Sequence, residues 1–515
     1  MSVLPLIGDC TEVPLTHPLD GGLSVPYANL DYAASAPALE AVADAVTRAL
    51  PLYASVHRGA GYLSQVSTAL YETAREAIGD FVAARPEDAV VITRNTTDSM
   101  NLLAGCVPEG ARVLVLDVEH HANLLPWQRH GADVLTARET VADTVGALSS
   151  ALATQNYQLL AITGASNVTG EALPVHELVR TAHDAGARVV VDAAQLVPHR
   201  PFSLTETDAD YVAFSGHKLY APYGAGALVG RRDWLDTGTP YLAGGGAVRN
   251  VELHRAQWQS APARHEAGSP NVIGAVALGV ACRELARVGD QLAAHDRALR
   301  ERLVAGLAEL DGVQVLSLWP DATEPIAVVT FTVTGHDPGL VAAVLSAEYG
   351  IGVRDGRFCT HPLLARQGLA AGLRASIGVG TTEEHIDRLL RALRTYLRHG
   401  KQGEYRVVAG RWEPVDERRD LPEALQLLDA LRGDAGARPA AAGGLPGRGD
   451  SSAQPGCGHG HGHDHGHVRA VDETAGTRPA HGHENARPGR GEEPTRSVQA
   501  SAAAGGACAP APSQS

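Results

Sequence analysis

At 515 residues the chain is long enough for two or three domains with sizeable cores. Its hydrophobic fraction of 44% is ordinary for a globular protein, but aromatics make up only 4%, so Ala, Val and Leu must build most of the interior. The formal net charge of −15 argues against nucleic acid or an anionic membrane surface as the main partner.

From about residue 27 to 230, short apolar runs alternate with helix-like segments. Ala89-Val90-Val91-Ile92, Arg112 to Leu116, Leu159 to Ile162, Arg188 to Val191 and Tyr211 to Phe214 lack polar alternation, as parallel strands buried on both faces do. Segments such as Pro174 to Arg180 start at a proline and read as crossover helices. The pattern predicts a large α/β domain over 27–270 with a mostly parallel sheet. A smaller α+β domain is expected over 271–400. It opens with a long helix around Ile273 to Val288, continues with a strand over Ile326 to Phe331, and ends in a helix. That last helix is announced by a capping-box pattern at Thr381-Thr382-Glu383-Glu384 and carries Ile386, Leu389, Leu390, Leu393 and Leu397, with Gly400 just past its end. Residues 1–26 are expected to pack on the small domain. Residues 401–436 read as a helical appendix, with Asp420-Leu421-Pro422 opening a helix that holds Leu425, Leu428 and Leu431. Beyond about 437 the composition collapses to Ala, Gly, Pro, Arg, Ser and His, which cannot bury enough apolar surface to offset ordering entropy, so 437–515 is expected to be disordered.

No stretch approaches the ~20 apolar residues that span a bilayer. The N-terminus has no basic region before its short apolar run, so it does not read as a signal peptide. Six cysteines at 10, 106, 282, 359, 457 and 508 include no CxxC pair. That is not a disulfide framework, and it fits a reducing cytoplasm.

The chain has only two lysines against forty-one arginines. Lys401 lies in a polar stretch and reads as a surface residue. Lys218 follows an apolar strand in Ser215-Gly216-His217-Lys218, where an amine that sheds its proton and forms a Schiff base does what arginine does not. Asp192 directly follows Val189-Val190-Val191, a position where a carboxylate suits a pyridinium nitrogen and lets the ring act as an electron sink. Gln195, three residues on, is placed to hydrogen-bond a ring substituent or to be an ordinary loop residue. Thr96 and Thr97 open a helix and suit either a phosphate site or a simple N-cap. His120 and His121 follow another strand, where either stacks on a ring, moves a proton or is merely structural.

Five motifs recur in register: Glu119-His120-His121-Ala122-Asn123, Ser166-Asn167-Val168-Thr169-Gly170, Asp192-Ala193-Ala194-Gln195, Ser215-Gly216-His217-Lys218 and Glu266-Ala267-Gly268-Ser269-Pro270-Asn271. From about Asn29 to Leu397 the chain resembles the class V aminotransferase fold family of pyridoxal-phosphate (PLP) enzymes, nearest the cysteine desulfurase and selenocysteine lyase branch. The resemblance implies a fold type I large domain and a set of roles. Lys218 would bond the cofactor aldehyde and shuttle the α-proton. Asp192 would pair with the pyridine nitrogen, His120 stack on the ring and Gln195 meet the phenolic oxygen. Thr97, Ser215 and His217 would hold the phosphate, with Ser269 reaching in from a second subunit, which implies a homodimer. Asn167 and Arg374 would hold the substrate carboxylate.

Cys359, in Arg354-Asp355-Gly356-Arg357-Phe358-Cys359-Thr360-His361-Pro362, falls where the branch places its persulfide-forming cysteine. A thiolate is required there, and Arg354 and Arg357 are positioned to favour it. The bottom-up alternative is a buried core cysteine. The chain departs from the branch at its substrate end. Arg357 and Phe358 replace two histidines, Val379-Gly380-Thr381 stands where Tyr-Asn-Thr is usual, and Ala60-Gly61 follows His57-Arg58-Gly59 where a second histidine is common.

The leading expectation is a PLP-dependent desulfurase that converts L-cysteine, or selenocysteine, to alanine and passes sulfur to a protein acceptor. The alternatives are another class V reaction (transamination, epimerisation or β-elimination) or a metal-binding protein with a scaffold PLP domain. The second rests on the tail, where Cys457, His459, His461, His463, His465 and His467 suit Zn, Ni or Cu without specifying one. No metal site is expected in the core.

Overall fold

The structure is a computed structural model that describes residues 2–8, 11–16, 24–57, 59–417 and 419. These all fall in one compact unit, Met1–Gly447. The expected helix opening at Asp420 and the His-rich tail lie outside the described residues, as does Arg58.

Seven strands form the central sheet, in the spatial order Ala89–Thr93, Gly226–Gly230, Tyr211–Ser215, Arg188–Asp192, Leu159–Thr163, Val113–Leu116 and Asp133–Leu135. Five of them contain the apolar runs read from the sequence. All are parallel except Gly226–Gly230, which runs antiparallel to both its neighbours. The lack of polar alternation has a direct cause: successive side chains enter two different cores. Leu114, Leu160, Ile162, Val189, Val191 and Phe214 pack on one face, and Val113, Leu159, Ala161, Val190 and Tyr211 on the other. Each fully buried Val or Leu contributes about 1.5–3 kcal/mol, so the sheet is held by apolar layers on both sides.

The long helix extends well past Val288. It spans 37 residues, Val272–Ala308, and starts where the Asn271 side chain accepts the Gly274 N–H at 2.9 Å. Its first half buries Ala277, Leu278, Ala281 and Leu285 in the core of the large lobe. Leu299, Leu303 and Leu307 lie in a separate core belonging to the small lobe.

That second core is capped by a four-stranded antiparallel sheet in the order Val313–Val315, Val328–Val333, Gly372–Ser376, Arg354–Gly356. Helix Glu383–His399 closes the lobe. Its capping box pairs Thr382 with His385 rather than with a glutamate, and Gly400 follows its last residue. Near the N-terminus, Thr16 N–H donates to Ala347 at 2.9 Å and Ala28–Asn29 pairs with Ile351–Gly352.

The expected helical character of 401–436 does not hold where it is described. Tyr405–Val408 and Arg411–Pro414 form an antiparallel hairpin. Its β-branched and aromatic residues favour strands, and Ala409-Gly410 supplies the two positive φ values a tight hairpin turn requires. Tyr405 fastens it to the small lobe by donating its hydroxyl to buried Glu348 at 2.9 Å.

Candidate active site

A cavity of about 260 Å³ opens at the C-terminal ends of the parallel strands, where open α/β sheets bind ligands, and Arg374 and Cys359 of the small lobe line it too. Lys218 ends a short 3₁₀ turn, Gly216–Lys218, directly after strand Tyr211–Ser215. Burial brings its amine down to about 8, with Asp192 opposing that fall and Arg374 adding to it. Asp192 is the last residue of its strand and is buried, which raises its pKa against the Ala194 N–H, 3.0 Å from Oδ1, and the Lys218 charge.

The two histidines separate cleanly. His120 lines the cavity and its Nδ1 accepts the Ala122 N–H at 3.0 Å, which leaves the ring proton on Nε2. Burial, helped by Lys218, pushes its pKa down to about 3, so the imidazole is neutral at working pH. His121 turns outward and meets His361 edge-on at 4.5 Å. Beneath them Glu119 is fully buried, accepting from Asn123 Nδ2 at 2.7 Å and Thr163 N–H at 3.0 Å, and burial pushes its carboxyl up to about 8.

At one end of the cavity is the N-terminus of helix Thr96–Ala104, capped by the Asn95 side chain. Thr97 and His217 line this end. Ser215 also lines it, but its Oγ accepts the Thr96 N–H at 2.8 Å and lies 2.7 Å from Thr96 Oγ1. The antiparallel strand Gly226–Gly230 lies between strand Ala89–Thr93, which ends shortly before Thr96, and the strand that carries Ser215. Gln195 donates Nε2–H to the Ala33 carbonyl at 2.8 Å.

The other end is cationic. Arg374 is buried in strand Gly372–Ser376, donating Nη1–H to the Asn167 carbonyl at 2.9 Å and Nη2–H to Asp31 at 3.3 Å. Its buried Nε has no hydrogen-bond partner among the described residues. The Phe358 ring lies 5.2 Å from the guanidinium. Cys359 is exposed at the mouth, not a buried core cysteine. Phe358 and Cys359 adopt left-handed backbone in succession, φ 53° and 55°, a conformation that costs non-glycine residues on the order of 1–2 kcal/mol each. Arg354 lines the cavity, whereas Arg357 donates Nε–H to the Ala370 carbonyl.

Ser269 is exposed and does not line the cavity of its own chain. The loop before it is anchored by Glu266, which pairs with Arg75 at 2.7 Å and accepts the Ile92 N–H at 2.7 Å. Sequence reasoning missed Asp31, which braces Arg374, and Thr360, whose hydroxyl donates to Asn167 Oδ1 at 2.9 Å. Glu119 was visible only as part of a motif.

The family model for class-V aminotransferases matches residues 28–389. The chain belongs to the class V aminotransferase family. It is 35% identical over 380 residues to a probable cysteine desulfurase of Streptomyces coelicolor, covering 71% of this chain and 90% of that protein. It is 37% identical over 353 residues to a probable cysteine desulfurase of Mycolicibacterium paratuberculosis, covering 66% of this chain but only 51% of that protein, about half its length. Among solved structures, the apo cysteine desulfurase of Thermococcus onnurineus is similar with a TM-score of 0.68 and 32% identity, over 72% of this chain and 95% of that one.

Class V aminotransferases are PLP enzymes, and the residues present fit that cofactor. A buried carboxylate, a buried amine of lowered pKa and a neutral imidazole surround one cavity, with a helix N-terminus at its edge. At the other end Arg374 keeps one buried donor, Nε–H, without a partner among the described residues.

Proposed function

We propose that the chain is a PLP-dependent cysteine desulfurase that turns L-cysteine, or its selenium analogue, into alanine and leaves a persulfide on Cys359. The observation that carries this reading is the exposed Cys359 thiol at the mouth of the cavity that holds Lys218, Asp192 and Arg374. PLP, when bound, supplies an electron sink for charge at the substrate α-carbon. Thr97, His217 and the Thr96–Ser215 pair would hold its phosphate, and Asp192 would keep its ring nitrogen protonated. His120 would offer a flat neutral face to the ring. Arg374, with Asn167, would orient the substrate carboxylate by paired N–H donors. The Lys218 amine would take the α-proton, and its lowered pKa makes it a base near neutral pH. Cys359 Sγ would then attack the substrate sulfur. An S–S bond forms as the substrate C–S bond breaks, and the carbon takes up a proton to leave alanine. A protein thiol would receive the sulfur. Ser269, exposed on its loop, would complete the phosphate site of a second copy in a homodimer. The three described cysteines are free, which suits a reducing cytoplasm. Separately, from imidazole spacing alone, we propose that His459, His461, His463, His465 and His467 bind Zn, Ni or Cu.

The test is Cys359→Ala. The variant is expected to keep the cofactor chromophore while persulfide formation and alanine release from cysteine stop. Undiminished desulfuration by this variant would refute the reading. Formation of pyruvate or racemised substrate, or a requirement for an amino-group acceptor, would identify a different class V reaction.

A further inference from the structure

Thr360 is fully buried one residue after Cys359, and neither the reaction nor the cofactor requires a hydroxyl there. Its Oγ1 donates to Asn167 Oδ1 at 2.9 Å, across 193 positions of sequence. The Phe358 carbonyl, which can only accept, sets the direction of the Asn167 amide by taking Nδ2–H at 2.7 Å, and the Thr360 hydroxyl, itself 3.4 Å from that carbonyl, then anchors Oδ1 from the other side. Asn167 is itself tied down, since its backbone carbonyl accepts Arg374 Nη1–H at 2.9 Å. The two left-handed residues, Phe358 and Cys359, lie inside this clamp. On its outer side the Cys359 carbonyl accepts the His121 N–H at 2.9 Å.

We propose that Thr360 is the positioning residue for the nucleophile: its hydroxyl locks the Asn167 amide, which holds the strained Phe358–Cys359 backbone over the cavity. Asn167 Nδ2 carries two hydrogens, and only one is used on Phe358. The second is therefore left to a substrate carboxylate held by Arg374, so one amide links carboxylate recognition to the placement of the thiol. Without the hydroxyl Oδ1 is left buried with its anchor gone, so the amide and the Phe358–Cys359 backbone that it holds are positioned less firmly, while Arg374 still holds a carboxylate. This assignment rests on the desulfurase reading for its kinetic consequence but not for its structural one.

The experiment compares Thr360→Val, which keeps the shape and removes the donor, with Thr360→Ser, which keeps the donor, both as cofactor-loaded full chains. The first readout is the rate at which iodoacetamide alkylates Cys359 in substrate-free protein, which requires no turnover. The second is kcat for alanine release, set against the dissociation constant for alanine read from cofactor absorbance. Thr360→Val is expected to change the alkylation rate and lower kcat by roughly tenfold each, the effect of a buried hydrogen bond lost with its acceptor left unsatisfied. The alanine constant should move far less, because Arg374 is untouched, and Thr360→Ser should stay near wild type. If Thr360→Val does not accumulate as folded protein, Thr360→Ala supplies the same readouts. Unchanged alkylation in the donor-less variant, or a defect that Ser shares, would overturn the proposal. Loss of the desulfurase reading would appear elsewhere, as turnover that persists in Cys359→Ala, and would leave the alkylation comparison intact.

Discussion

Lys218 and His120 illustrate how one cavity sets two protonation states in opposite senses of use. Both are pushed toward neutrality by burial, but the amine is left with a pKa of about 8 and the imidazole with one of about 3. Below about 8 the amine of the cofactor-free protein is protonated and cannot attack an aldehyde. The rate of PLP uptake by apo protein, followed by absorbance, should therefore rise with pH up to about 8 and level off above it, with no inflection from His120 across the neutral range. A profile still climbing toward 10 would show that the amine is not desolvated as the geometry requires. Much at this scale was legible in the sequence, because chemistry restricts the choice. A nearly lysine-free chain that keeps Lys218 after a strand, and a carboxylate at the end of the adjacent strand, leave few alternatives. Thr360, Asp31 and the division of labour between His120 and His121 were not legible. Each depends on a contact made across the fold, such as Thr360 to Asn167 or His121 to His361.

The five strands with unbroken apolar runs were readable because burial on both faces removes polar alternation. Gly226–Gly230 was not. It is bounded by glycines and runs against its neighbours, so neither length nor composition announced it. Yet it lies between the two elements that would hold the cofactor phosphate. A Cβ at Gly226 would come within 2.8 Å of the Asn95 backbone and 2.7 Å of the Phe214 carbonyl. Asn95 caps the helix that presents Thr96 and Thr97, and Phe214 precedes Ser215, so the bare glycine lets two strand ends lean together over a third. Gly226→Ala should force them apart at a cost of about 1–3 kcal/mol. The expected results are a lower melting temperature and PLP affinity weakened by roughly tenfold or more, measured by titrating apo protein. Wild-type affinity in a folded variant would mean that Thr96 and Ser215 do not form the phosphate end together. The long helix was only half visible, because Gly289-Asp290-Gln291 interrupts the apolar pattern midway while Leu299, Leu303 and Leu307 resume it in another core.

For the whole molecule, the family model covers residues 28–389, and the histidine-rich stretch from His459 to His467 lies outside both that match and the described residues. The two are expected to be separable in function. Truncation after residue 436 should leave cofactor content, desulfuration and a sedimentation mass twice that of the chain unchanged. Zn²⁺ uptake by calorimetry should be confined to the full-length protein. Equal metal uptake by both forms would remove the metal role from the tail, and a monomeric mass would remove the partner's Ser269 from the site. Within the folded body, the unbroken helix Val272–Ala308 is seated in both cores, at about 1.5 Å per residue a beam some 55 Å long. Rotating one lobe against the other would mean bending that beam or stripping leucines out of one of its two beds. Any opening of the cavity would then fall to short segments at its rim, which leave the girder beneath them undisturbed.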